Sequence, residues 1–386
     1  MPDRPGRGDV DLKYLKLICG LVCIAIVASN VWTMSRWSER RGVSDDLCYL
    51  RQAHLFQQHG LQGFRTDLLS ETDGYFRRLL AEAGHPEWDT PAQSICHIDM
   101  ASGQRVLQYP PGVGAVLALF GEGHQAVAMY AAMTVLILLM AFAAIALARS
   151  RAAILAATAF GALALYFMIN PAKASYSIAP TMVLCAAVGF LTARLFTLRE
   201  ARSQWLVTAL IGLLLGLSVN FRIPNLLLAA GYGGFLLIAF VVRRSLVTFL
   251  QGALFGVAYV VGLAPTLIGN AINAGSPLAT TYGGQDVSPP DFTFSITGAY
   301  LRDLQGILSV VAIVWVIALL AKHRRPALWP VALVVAINLA VNLGYFLSHP
   351  VFTQYYLMPL AMLSLWTLLF AYVLDDRDRA GVAPLS

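Results

Sequence analysis

Charge is what this chain has least of. Only 12% of its 386 residues are charged and 58% are hydrophobic, whereas soluble domains run at about 25% charged. Mean hydropathy is +0.66. This balance excludes a soluble globular protein and predicts an all-α polytopic membrane protein, because a helix satisfies its own backbone groups in hydrocarbon. Other signatures are missing too. The five cysteines, Cys19, Cys23, Cys48, Cys96 and Cys185, show no zinc spacing. No Gly-x-Gly-x-x-Gly run follows a strand pattern, so no nucleotide-binding domain is indicated. The chain has neither an Asn-x-Ser/Thr sequon nor an endoplasmic-reticulum retention tail, which fits a bacterial inner membrane.

Long apolar runs are abundant. Ten are long enough to cross about 30 Å of hydrocarbon: about 14–34, 126–148, 152–169, 178–198, 205–221, 226–242, 247–268, 304–321, 327–347 and 354–374. The first exceeds a signal-peptide core and reads as an uncleaved helix. With the N-terminus in the cytoplasm, sixteen of the 27 Lys and Arg residues collect at one membrane face and eight lie in the long first loop. Such a loop translocates regardless of charge. Three cations are left over: Lys173, Arg222 and Arg302. Both termini are then cytoplasmic, and the net charge of +6 is a topology signal spread over many turns. It forms no stripe for nucleic acid.

Residues 1–386 read as a single membrane domain with a first periplasmic loop at 35–125, a second at 269–303, and no soluble domain after the last span. In the first loop, Ser44 caps a helix expected to reach about His59, with Leu47, Leu50, Leu55 and Phe56 as an apolar face suited to lie on the membrane. Gly60 ends it. Further helices are expected over Tyr75 to Ala83 and from Pro110 to Phe120. Cys48 and Cys96 share this loop and are candidates for a disulfide in an oxidising compartment.

The span centres are nearly free of ionisable groups, which argues against proton- or ion-coupled transport. Asn338 and Asn342, four apart, read as interhelical hydrogen-bonding glue. Chemistry is expected at the outer surface instead, where the topology gathers Asp45, Asp46, Lys173, Arg222, Asp286, Arg302 and His349. Carboxylates there can deprotonate a hydroxyl and cations can hold a phosphate. Asp45 and Asp46 also sit where acids favour a helix macrodipole without any catalytic duty.

Four segments carry a resemblance. SDDLCYLRQAHLF (44–56), QYPPGVGAVLALFG (108–121), NFRIPN (220–225) and HPVFTQYYLMPL (349–360) together resemble the GT-C superfamily of membrane glycosyltransferases, which includes protein O-mannosyltransferases and the aminoarabinose transferase of lipid A. The resemblance implies a polyprenyl-phosphate-linked sugar as donor, a lipid, glycan or protein acceptor, and transfer at the outer membrane face with inversion. It implies Asp45 or Asp46 as base, Arg222, Lys173 or Arg302 on the donor phosphate, and Tyr109, His349, Tyr355 and Tyr356 as substrate contacts. The bland reading makes His349 a turn histidine and the two late tyrosines interfacial belt residues. The chain departs from the family by pairing Asp with Asp, where many members pair Asp with Glu. It also carries Lys173 where several members have an acid. The resemblance fixes no cofactor, and it leaves room for a divalent metal. The alternative is a lipid or polysaccharide transporter or flippase without bond-making chemistry.

Overall fold

The structure, a computed structural model, describes residues 7–39, 44–89, 95–197, 200–282, 290, 294–321, 328–349 and 353–379. Its helices follow the apolar runs: α1 (Arg7–Met34), α2 (Ser44–His59), α3 (Tyr75–Glu82), α4 (Gly112–Leu117), α5 (Gln125–Leu147), α6 (Arg151–Phe167) and α7 (Ile178–Leu195). There follow α8 (Ala201–Val219), α9 (Ala230–Arg243), α10 (Leu246–Ala274), α11 (Phe294–Arg302), α12 (Leu304–Ala321), α13 (Trp329–Ser348) and α14 (Thr353–Arg379). Among the described residues, nine helical segments are long and apolar enough to cross a membrane. The tenth expected span is α6, a shorter apolar helix of 17 residues. The chain is an all-α multi-pass membrane protein.

The last helix is the hub. Every residue from Leu357 to Leu374 except Tyr372 is buried, and Gly189 of α7 lets α14 approach so closely that a Cβ there would lie 2.7 Å from the Trp366 Cβ. Small residues do the same between α8 and α10, where a Cβ at Gly216 or Gly262 would run into the facing backbone. The outer helices turn apolar residues such as Leu21, Leu237, Val257 and Val314 outward. Asn342 Nδ2 donates to the Leu227 carbonyl at 2.9 Å, and the Gly231 amide donates to Asn338 Oδ1 at 3.4 Å. The two asparagines thus join α13 to the α9 region, as interhelical glue should.

One end of the bundle is closed by polar ties. Lys16 Nζ donates to the Ala146 carbonyl, and Asp376 Oδ2 accepts from the Arg149 and Ser150 amides, all at 2.8 Å. The opposite end, here the loop face, carries the described residues between 35 and 124.

On that face α2 starts at Ser44 and ends at His59, where Gly60 takes φ +55°. Its apolar side does not lie on the membrane. Leu47 and Cys48 are buried against Phe76 and Leu80 of α3 and against Leu107, while Tyr49, Leu50 and Ala53 join the main core. The helix is sandwiched because two layers compete for its faces. Leu107 belongs to a two-stranded antiparallel hairpin, β1 (His97–Asp99) and β2 (Arg105–Leu107), with Ile98 opposite Val106. Strands of three residues are too short to show as alternation in the sequence. Cys48 and Cys96 form the disulfide, with their Cα atoms 6.6 Å apart. The helix expected over 110–120 is shorter, Gly112–Leu117. The second loop is partly helical: α10 continues to Ala274, and α11 occupies 294–302.

Candidate functional site

Asp45 and Asp46 occupy the first turn of α2, and neighbouring helical positions point about 100° apart. The fold uses that divergence. Asp45 is half-buried, and its Oδ1 accepts a hydrogen bond from the Tyr109 hydroxyl at 2.7 Å. Asp46 is 1% exposed and acts on the Tyr176 phenol. The pair is two environments rather than one.

Around Asp45 the side chains are aromatic. Tyr49, one turn further along α2, places its ring 5.0 Å from that of Tyr109, and the Tyr282 ring lies 6.2 Å from Tyr109. Burial pushes the Tyr109 phenol far up, and the Asp45 carboxylate pushes the same way. Tyr109 therefore stays a donor to Asp45 at any physiological pH. Tyr49 is also pushed well up, by burial first and then by Tyr282 and Asp45, while the Arg222 guanidinium opposes the shift. Arg222, half-buried at the start of the 3-10 stretch Ile223–Ala229, thus acts on the same tyrosine as Asp45. A carboxylate, a positive charge and three phenols share one region.

What brings these segments together is main-chain contact. The Gly112 amide donates to the Asn220 carbonyl at 2.7 Å, and a Cβ at Gly112 would lie 2.5 Å from that oxygen. Only glycine lets the Pro110-Pro111 segment approach so closely. The Asn220 side chain enters α10 beside Pro265: Oδ1 accepts from the Thr266 amide and hydroxyl at 2.8 and 2.7 Å, and Nδ2 donates to the Gly262 carbonyl at 2.7 Å. It bridges the carbonyl and amide that would otherwise close a helical i to i+4 bond, next to the proline of α10. Gly114 gives similar clearance to Gln52 of α2, and the Thr281 hydroxyl donates to the Gln108 carbonyl at 2.9 Å.

The floor of α2 is held by Arg51, a residue that sequence reasoning passed over. Its fully buried guanidinium donates to Glu71 Oε2 at 2.8 Å and to the Thr66 carbonyl at 2.9 Å, and meets His97 Nε2 at 3.1 Å. His97 Nδ1 faces the Ile95 carbonyl at 2.6 Å, which makes Nδ1 the protonated nitrogen and Nε2 the acceptor. Burial first, then the Arg51 and Arg105 charges, hold the imidazole down to about 3. Asn273 of α10 ties in the same layer: its Oδ1 accepts from the Thr66 amide at 3.0 Å, and its Nδ2 donates to the Phe64 carbonyl at 2.8 Å.

Other expected site residues go elsewhere. Lys173 is exposed and folds back on Tyr166, donating to its hydroxyl at 2.7 Å with the ammonium 4.7 Å from the ring centroid. The cation prefers the aromatic face at hand, so Lys173 does not join the Asp45 group. Its segment still contributes, through Tyr176 beside Asp46 and Ser177 beside Tyr49. Arg302 is exposed at the end of α11, and no hydrogen bond or ion pair joins it to either aspartate. His349 caps the end of α13: its Nδ1 lies 2.9 Å from Ser348 Oγ and 3.1 Å from the Tyr345 carbonyl, and its ring stacks on Tyr345. It is a turn histidine. The side chains of Tyr355 and Tyr356, and all of Asp286, lie outside the described residues. Among the described residues, no group of three or more His, Cys, Asp or Glu side chains is placed to hold a metal ion. Compared with known proteins, the chain matches no protein-family model and no curated protein.

Proposed function

We propose that the protein is an integral-membrane glycosyltransferase of the GT-C kind. It moves a sugar from a polyprenyl-phosphate donor to a lipid, glycan or protein acceptor at the outer face of a bacterial inner membrane, with both termini cytoplasmic. The observation that carries this reading is the meeting of Asp45, Tyr109 and Arg222, drawn from three of the four segments that resemble that superfamily. Lys173 and Arg302 drop out as phosphate ligands and Arg222 is retained. Orientation rests on the distribution of Lys and Arg, including Lys16, Arg149 and Arg151 at the end away from Asp45.

The chemistry runs as an in-line displacement. Tyr109 holds Asp45 Oδ1, and Oδ2 takes the proton of the acceptor hydroxyl as its oxygen attacks the anomeric carbon. The bond from that carbon to the phosphate oxygen breaks, and the polyprenyl phosphate leaves with the electron pair. Arg222 neutralises the departing charge. Attack opposite the leaving group inverts the anomeric centre.

The test is transfer of labelled sugar by purified protein from a panel of polyprenyl-phosphate donors, with the anomeric configuration of the product read by NMR. Transfer with inversion is expected from at least one donor. If no donor in a broad panel reacts, the proposed class is wrong.

A further inference from the structure

The Cys48–Cys96 disulfide joins α2 to the foot of the hairpin, and the mechanism above makes no use of it. Its placement is specific. Cys48 follows Asp45 by about one turn of α2, and residues at that spacing share a helix face. Cys96 immediately precedes β1, and its carbonyl accepts the Gln108 amide at 3.0 Å. Gln108 is the residue between β2 and Tyr109. Cys96 and Tyr109 both pack on the small core of Leu47, Cys48, Phe76, Leu80 and Leu107.

These links close a ring. From Asp45 it runs along α2 to Cys48, through the S–S bond to Cys96, across the hydrogen bond to Gln108 and along the chain to Tyr109. The Tyr109 hydroxyl closes it on Asp45 Oδ1 at 2.7 Å. The Gln108 carbonyl also accepts from the Thr281 hydroxyl at 2.9 Å, so the segment that carries Tyr282 hangs on the same residue. Gln52 against Gly114, and Gln57 on the Ala118 and Phe120 carbonyls, tie the Pro-Pro segment to α2 as well. Those ties lie about two and three turns beyond Asp45. The disulfide acts at the turn that carries it.

We propose that the Cys48–Cys96 disulfide is a positioning element of the transfer site, holding the Tyr109 hydroxyl on Asp45, and that transfer depends on its oxidised state. The proposal rests on the glycosyltransferase reading. Cys96 is left-handed, φ +49°, a conformation uncommon for a residue with a side chain and kept only where its surroundings impose it. Two holds impose it here, the bond from its sulfur to Cys48 and the Gln108 amide on its carbonyl. Once the sulfur is released the backbone returns to the extended region, and the carbonyl turns away from Gln108. Cys96 is half-buried, which gives a small dithiol access. The dithiol supplies two electrons and two protons, the S–S bond breaks into two thiols, and the dithiol leaves as its own disulfide. Such an anchor persists in an oxidising compartment, which the proposed outer-face reaction provides.

The test is steady-state sugar transfer by the reconstituted full chain before and after treatment with dithiothreitol, with hydrogen exchange at the Gln108 amide read by mass spectrometry on the same samples. On reduction kcat is expected to fall about tenfold or more. The donor KM should stay near its oxidised value, because Arg222 reaches the site on the separate segment 220–225. Exchange at Gln108 should quicken, and reoxidation should restore both. Cys48→Ala combined with Cys96→Ala is expected to behave like the reduced wild type and to ignore the dithiol, which sets aside the buried thiols of Cys19, Cys23 and Cys185. Should the double variant lose its fold, wild type reduced below its melting temperature carries the comparison. Turnover at the oxidised rate by the reduced wild type, or a loss confined to the donor KM, overturns the anchor and leaves the transferase reading standing. If the oxidised wild type turns over no donor, the transferase reading falls and exchange decides the anchor alone, equal rates before and after reduction overturning it.

Discussion

Replacing Gly112 by alanine puts a methyl group where two backbones already touch. The new Cβ would lie 2.5 Å from the Asn220 carbonyl oxygen, 2.7 Å from its carbon and 2.9 Å from the Asn220 Cβ. A carbon–oxygen contact relaxes only near about 3.3 Å, so the Pro110-Pro111 segment must move by about 1 Å. The amide bond from Gly112 to Asn220, 2.7 Å long, is stretched or lost in the process. Overpacking costs about 1–3 kcal/mol and the hydrogen bond adds about 1, giving a total of about 2–4 kcal/mol. The functional effect is larger, because Tyr109 rides on this segment and holds Asp45. A misplacement of about 1 Å at a reacting group lowers rates by about a hundredfold. Gly233 of α9, with nothing within 4 Å of its Cβ position, supplies the control. There alanine is expected to be neutral or to stabilise by up to about 1 kcal/mol through helix propensity. Tryptophan-fluorescence melting and sugar transfer, measured side by side on both variants, decide the matter. If Gly112→Ala melts and transfers like the wild type, the clamp between the Pro-Pro segment and Asn220 does not position the site.

Two further outcomes follow from buried polar groups. His97 sits at about 3 in the fold and near 6.5 in an unfolded chain. Below 6.5 the unfolded chain therefore takes up a proton that the fold refuses, and stability falls as pH drops from about 6.5 towards 3. Between pH 7 and pH 5 the loss from this one group is about 2 kcal/mol. Melting curves at the two pH values should show a wider gap for the wild type than for His97→Gln, and equal gaps would contradict the neutral His97 beside Arg51. Asn220→Ala removes three hydrogen bonds to α10, each worth about 0.6 kcal/mol in a membrane setting. It should lower stability by about 2 kcal/mol in the same melting assay. An unchanged melting temperature would mean that α10 closes over Pro265 without help.

The parts of this fold that were legible in the sequence are those with local causes. Ten apolar runs became helices because length and hydropathy decide a span. Helix α2 began at Ser44 and stopped at Gly60 because caps and left-handed glycines act within a turn. Asp45 and Arg222 were singled out through local segments as well. The failures have tertiary causes. The positive-inside count set Lys173 apart from the other cations, but a count gives no direction, and the side chain turns to Tyr166. Leu47 and Leu50 formed the expected stripe, yet which layer covers a stripe depends on α3, the hairpin and the bundle. Arg51 looked like one more loop cation, since Glu71 and His97, its partners, stand 20 and 46 positions away. Tyr49 and Tyr282 had no signal at all. Tyrosines near a membrane surface are common, and only the fold sets them beside Tyr109.

The central claim is that Asp45 is the base and Arg222 the phosphate ligand of one transfer site. Steady-state transfer by reconstituted wild type, Asp45→Asn and Arg222→Gln tests it most directly, with kcat and the donor KM read separately. Asparagine keeps an oxygen for the Tyr109 hydroxyl and removes only the proton acceptor. The account predicts that Asp45→Asn loses kcat by about 10² to 10⁴-fold with a donor KM near the wild-type value, while Arg222→Gln raises the donor KM. Turnover by Asp45→Asn at the wild-type rate would contradict it.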